Sequence, residues 1–129
     1  MPVFDSTKPI YRQVAEWIEN DIMHGHFFPG EKVYSQYQLA DQWTINPATA
    51  AKGLNVLADE GILYKRRGLG MFVAEGAVER IREKRKSTSL ALLVRQITRE
   101  AVSLDVTEEH LIDIIRSGYA EAKEESTHE

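Results

Sequence analysis

The pair Asn46-Pro47 constrains the fold of this chain more than any other feature. An asparagine side chain can accept a hydrogen bond from the free N–H groups at a helix start, and proline, which lacks an N–H, suits the first helical position. A helix therefore begins here, and the spacing predicts that it runs to Gly61. Just upstream, Ser35 followed by Gln38 has the form of a capping box, and Leu39 with Trp43 makes an apolar i,i+4 pair on a short helix. Only Thr44 and Ile45 remain between the two helices, so they meet at a tight turn.

Steps of about 100° per residue place Ala50, Gly53, Leu54 and Leu57 on one face of the second of these helices and Ala48, Lys52, Asn55 and Asp59 on the other. The first face is small and lets another helix approach closely; the second is left for a ligand. An earlier helix is predicted from Pro9 to Gly25, with Ile10, Val14, Trp17, Ile18 and Ile22 at helical spacing. Phe27-Phe28-Pro29-Gly30-Glu31 breaks that pattern, and Val33 returns to the core. Downstream, Ile62-Leu63-Tyr64 and Met71-Phe72-Val73 flank a basic, glycine-containing segment, residues 65–70, and read as a β-hairpin.

The expected fold class is mainly α with a small β-hairpin: a winged helix-turn-helix over residues 1–76 and a two-helix appendage over residues 77–129. The winged helix is expected to have its core around Trp17, Ile18, Leu39, Leu54, Leu57 and Phe72. In the appendage, a long helix from Ala77 breaks near Asp105, a second is capped by Thr107, and the polar end from Ser126 to Glu129 reads as frayed.

Composition narrows the function. With no cysteine there is no disulfide framework, no thiolate zinc site and no thiol nucleophile. No Gly-x-Ser-x-Gly, phosphate loop or histidine-rich metal spacing is present, so catalysis is not expected, nor is a cofactor. His24 and His26 flank Gly25 at a helix end and read as surface imidazoles rather than a metal site. Without a signal peptide or an apolar stretch of bilayer length, the expected location is the cytoplasm. The net charge is −4, so any DNA binding must use a local basic face.

Such a face is available. A helix entering the major groove needs short polar or methyl side chains near the base edges and a cation further along, and Asn46, Ala48, Thr49 and Lys52 supply them. In the hairpin, Lys65, Arg66 and Arg67 bring charge, while Gly68 and Gly70 permit close approach to a sugar-phosphate backbone. Taken singly, Asn46 also reads as a helix cap and Lys52 as a surface lysine; their conjunction with the tight turn and the basic wing points to DNA. The alternative, a winged helix that binds another protein, is disfavoured by that basic wing.

Leu90, Leu93, Val94, Ile97, Ala101 and Leu104 form an apolar stripe on the first appended helix, and Leu111, Ile114, Ile115 and Tyr119 form one on the second. Two helices cannot cover both stripes, so a second copy of the chain is the expected cover, with packing onto the winged helix as the other option. Leu90, Leu93, Val94, Ile97, Leu111 and Ile115 are the expected dimer contacts. On the order of 50 residues are too few to enclose a metabolite-sized pocket in one chain; an effector bound between subunits stays open. The cluster Arg80, Arg82, Lys84, Arg85 and Lys86 serves either as added phosphate contacts or as a solvated face partly neutralised by Glu79 and Glu83.

The ordered set Pro9-Ile10-Tyr11, Pro29-Gly30-Glu31-Lys32-Val33 with Ser35, Leu39-Ala40, Asn46-Pro47-Ala48-Thr49 with Lys52, Glu60-Gly61-Ile62-Leu63-Tyr64 and Gly68-Leu69-Gly70-Met71-Phe72-Val73 resembles the GntR family of bacterial transcription regulators, in its compact YtrA-like branch. The resemblance implies a dimeric repressor on an inverted-repeat operator, with the wing in or near the minor groove. It implies DNA-facing roles for Ser35, Tyr37, Asn46, Pro47, Thr49, Lys52, Arg67, Gly68 and Gly70. Tyr37, Pro47 and Ala51 stand where many members of the family carry arginine, and Tyr34 and Gln36 replace a usual proline and glutamate.

Overall fold

The computed structural model describes residues 3–127. The chain divides into two compact units between Lys84 and Arg85. The first contains α1 (Ile10–Met23), α2 (Gln36–Trp43), α3 (Pro47–Asp59), β1 (Leu63–Arg66), β2 (Gly70–Val73) and most of α4 (Ala77–Arg85). This is a winged helix-turn-helix.

Local chemistry sets the helix starts. Ser35 Oγ accepts from Gln38 N at 3.1 Å while Gln38 Oε1 accepts from Ser35 N at 2.8 Å, the complete capping box. Asn46 Oδ1 accepts from Ala48 N at 2.8 Å, and Pro47 occupies the first position of α3. Between the two helices Thr44 adopts a left-handed conformation at φ 53°, unusual for a β-branched residue, and turns the chain sharply.

The core collects Val14, Ile18 and Ile22 of α1, Leu39 and Trp43 of α2, Ala50, Leu54 and Leu57 of α3, and Ile62, Leu63 and Val73 of the hairpin. Val33 joins it, as its sequence position predicts, because residues 30–33 line the free edge of β2: Val33 N donates to Met71 O and Val73 N to Glu31 O, both at 2.9 Å. Trp17 does not enter the core. It remains 40% exposed, about 60° around α1 from Val14, while Val14, Ile18 and Ile22 occupy the interior. Phe72 is half-buried and stacks on Tyr64 instead, with ring centroids 5.8 Å apart.

The hairpin strands are longer than the apolar runs suggest. The register runs from Leu63↔Val73 to Arg66↔Gly70, so Lys65 and Arg66 lie in β1, and the turn is Arg67-Gly68-Leu69, closed by Leu69 N donating to Arg66 O at 2.9 Å. The first unit also extends past Gly76. Ala77 and Ile81 of α4 are fully enclosed in its core, and Lys84 forms ion pairs with the buried Glu19 of α1 and with Glu60, the latter at 3.1 Å. Burial pushes the Glu60 carboxyl above the ordinary carboxylate range.

The second unit holds a π-helical segment (Lys86–Leu90), α5 (Ala91–Ser103) and α6 (Glu108–Thr127). The sequence predicts a long helix from Ala77 to the break near Asp105; the backbone is helical from Ala77 to Ser103, with a π-helical stretch at Lys86–Leu90. Asp105, at φ 56°, ends α5, and Thr107 Oγ1 accepts from His110 N at 3.1 Å to cap α6. Ser126 and Thr127 are helical rather than frayed, and His128 and Glu129 lie outside the described residues. Among the described residues of this unit Ala101 is the buried one; Leu90, Leu93, Val94, Ile97 and Ile115 are exposed, and Leu111 is half-buried.

Candidate nucleic-acid interface

The N-terminal turn of α3 is the centre of the site. Its backbone N–H groups point out of the helix start, where a phosphate is favoured. The Asn46 cap uses only the side-chain oxygen and leaves the amide NH2 as a donor. Asn46, Pro47 and Ala48 are exposed, and Thr49 is half-buried beside them. One turn further, Lys52 is exposed with its Nζ 4.1 Å from the centre of the Tyr11 ring. That cation–π contact holds the ammonium over a ring of α1. Tyr11, brought there by the start of α1, is a participant that helical periodicity does not reveal.

Ser35 and Tyr37 sit at the start of α2. The Ser35 oxygen serves the capping box, and its hydroxyl hydrogen can still be donated. Tyr37 is 70% exposed, a large aromatic phenol held away from the core.

In the wing, Arg67, Gly68 and Leu69 are all exposed at the tip. Gly68 has φ 77° and Gly70 φ 122°, conformations that side chains resist, and a Cβ at Gly70 would come to 2.8 Å from Lys32 Cε. The two wing arginines differ. Arg66 is committed to the hairpin, its guanidinium 5.3 Å from the Phe72 ring centre and 5.9 Å from that of Tyr64, whereas Arg67 extends from the turn.

His24 Nδ1 lies 2.6 Å from Asn20 O, and His26 Nδ1 lies 3.1 Å from Asp21 Oδ1. Both imidazoles are exposed at the end of α1. Among the described residues no group of three or more His, Cys, Asp or Glu side chains could hold a metal ion. No described helix is long and apolar enough to cross a membrane.

A helix-turn-helix with an open recognition helix, flanked by a hairpin with a cationic tip, defines a DNA-binding regulator rather than an enzyme. The family model of the bacterial regulatory proteins, gntR family, matches residues 10–73. The HTH-type transcriptional repressor YtrA of Bacillus subtilis (strain 168) is 30% identical over 92% of this chain and 90% of its own length. The chain belongs to the GntR family of transcription regulators. Among solved structures, a GntR family transcriptional regulator from Listeria monocytogenes superposes with a TM-score of 0.71 at 29% identity, covering 88% of this chain and 98% of that one. The DNA-binding domain of AraR, in complex with operator ORE1, superposes with a TM-score of 0.52 at 32% identity, covering 57% of this chain and 90% of that one.

Proposed function

We propose that this chain is a cytoplasmic transcriptional repressor that binds an inverted-repeat operator as a homodimer. The observation that carries the reading is the start of α3, where Asn46 and Lys52 are exposed and Thr49 lies half-buried between them. In this account α3 enters the major groove. Asn46 and Thr49 read base edges, Lys52 reaches a guanine or a phosphate, and Pro47 keeps the backbone of the first turn close to the DNA. Ser35 and Tyr37 hold the flanking phosphates. Arg67 follows the sugar-phosphate backbone at the minor groove, with Gly68 and Gly70 allowing the approach.

The similarity to a protein named as a repressor supports the sign of regulation, and the AraR domain solved with an operator supports the mode of binding. Dimerisation is supported by the second unit, whose π-helical segment, α5 and α6 expose Leu90, Leu93, Val94, Ile97 and Ile115 around a minimal interior. A second copy covers that surface and doubles the number of base contacts.

The test is equilibrium binding of the full chain to a duplex selected by it from a random pool, compared with a single half-site and with random duplex. Enrichment of an inverted repeat is expected. Retention of DNA without sequence preference contradicts the reading.

A further inference from the structure

Gln13 is a polar residue that α1 buries almost completely, at 5% exposure, and among the described residues its side chain hydrogen-bonds to the segment that precedes the helix. Its Oε1 accepts from Asp5 N at 3.0 Å, and its Nε2 donates to Asp5 O at 2.9 Å and to Lys8 O at 2.8 Å. The amide thus satisfies three backbone groups of residues 5–8 and docks this arm against α1. Within the arm, Asp5 accepts from Thr7 N at 2.9 Å and from the Thr7 hydroxyl, and these bonds hold its carboxyl below the ordinary range.

The docked arm delivers Phe4 to Trp43, edge to face, with centroids 6.2 Å apart and planes at 64°. Trp43 is the last residue of α2. Directly after it come the left-handed Thr44, then Ile45 and the α3 cap Asn46. Phe4, Ile10, Trp43 and Ile45 wall a cleft of about 820 Å³ that Asn46 and Thr49 also line, so the arm stands on the same side as the start of α3. A β-branched residue at positive φ is held there only by its surroundings, and Phe4 braces the residue that anchors the turn.

We propose that Gln13 and Phe4 are positioning residues for DNA recognition. Through them the arm of residues 4–8 buttresses the turn between α2 and α3 and sets how Asn46 and Thr49 are presented to the bases. Neither residue touches DNA in this account, which rests on the DNA-reading role given to Asn46 and Thr49 above.

The experiment uses the full chain and a duplex that the parent protein enriches from a random pool. Affinities for that duplex and for random duplex are measured across a salt series. Phe4→Ala should weaken binding to the selected duplex by about fivefold, the effect expected from losing one edge-on aromatic pair. Binding to random duplex and the salt slope should hold, because Phe4 carries no charge and neutralises no phosphate. Phe4→Tyr keeps the ring and should restore the parent ratio of selected to random affinity. Gln13→Glu, nearly isosteric but lacking both amide donors, should lower that ratio further; if it fails to fold, the two Phe4 variants decide the matter alone. An unchanged ratio in Phe4→Ala, or an equal loss on both duplexes, overturns the inference while leaving the DNA-reading role of α3 in place. A parent chain that enriches no sequence overturns both.

Discussion

Gly53 of α3 lies so close to Val14 of α1 that a Cβ there would come within 2.8 Å of Val14 Cγ1 and 2.9 Å of the Tyr11 carbonyl oxygen. Val14 could yield a little; the Tyr11 carbonyl belongs to the α1 backbone and could not. Gly53→Ala should therefore push α1 and α3 apart and lower stability by about 1–3 kcal/mol, against alanine's better intrinsic helix propensity. Urea denaturation checks this: the midpoint should fall with an unchanged slope. A midpoint at or above the parent's would mean that the helices separate without strain.

Lys52 and Arg67 test the DNA interface from its two ends. Both are exposed, so alanine at either should leave stability within about 1 kcal/mol of the parent, the Lys52 variant losing its contact with Tyr11, while weakening operator binding. For Arg67→Ala the slope of log affinity against log salt should flatten by about one unit, the signature of one lost phosphate contact. Lys52→Ala should act more strongly on the operator than on random DNA if Lys52 reads a guanine, and equally on both if it holds a phosphate. Unchanged affinity and slope in Arg67→Ala would remove that residue from the interface.

These targets show which parts of the molecule are legible in the sequence. The Ser35 box, the Asn46 cap and the close-packing face of Ala50, Gly53, Leu54 and Leu57 rest on short-range spacing, and the structure contains all of them. Buried polar residues are not legible in this way. Gln13 is interior because an arm folds back onto it, and Glu19 because Lys84, far along the chain, reaches it. The apolar spacing of α1 marks neither residue. Trp17 errs in the opposite sense: it has core-like spacing, yet the smaller aliphatic residues occupy the interior. In the site, spacing identifies Lys52 and the basic wing but not the rings that orient their cations, Tyr11 for Lys52 and Phe72 for Arg66.

The second unit should be where two chains join. Replacing Leu93 and Ile97 together by aspartate should yield a monomer, because a symmetric interface would bury each new charge on both subunits. The core of the first unit lies elsewhere in the chain, around Ile18, Leu39, Leu54 and Leu57, so the winged helix should remain folded. Operator affinity should fall by on the order of 100-fold, since each half-site then binds alone. Sedimentation equilibrium reads the outcome. A variant that stays dimeric would place the interface on other residues.

The most direct test of the account is the ratio of affinities of the full chain for its selected duplex, for one half of that duplex, and for random DNA, all at the same salt concentration. Two copies reading two half-sites predict that the full site binds on the order of 100-fold tighter than the half-site. They also predict binding at least about 10³-fold tighter than to random DNA, with the half-sites on one face of the duplex, a whole number of helical turns apart. A half-site bound as tightly as the full site, or a random duplex bound as tightly as either, would contradict a dimer that reads sequence through α3.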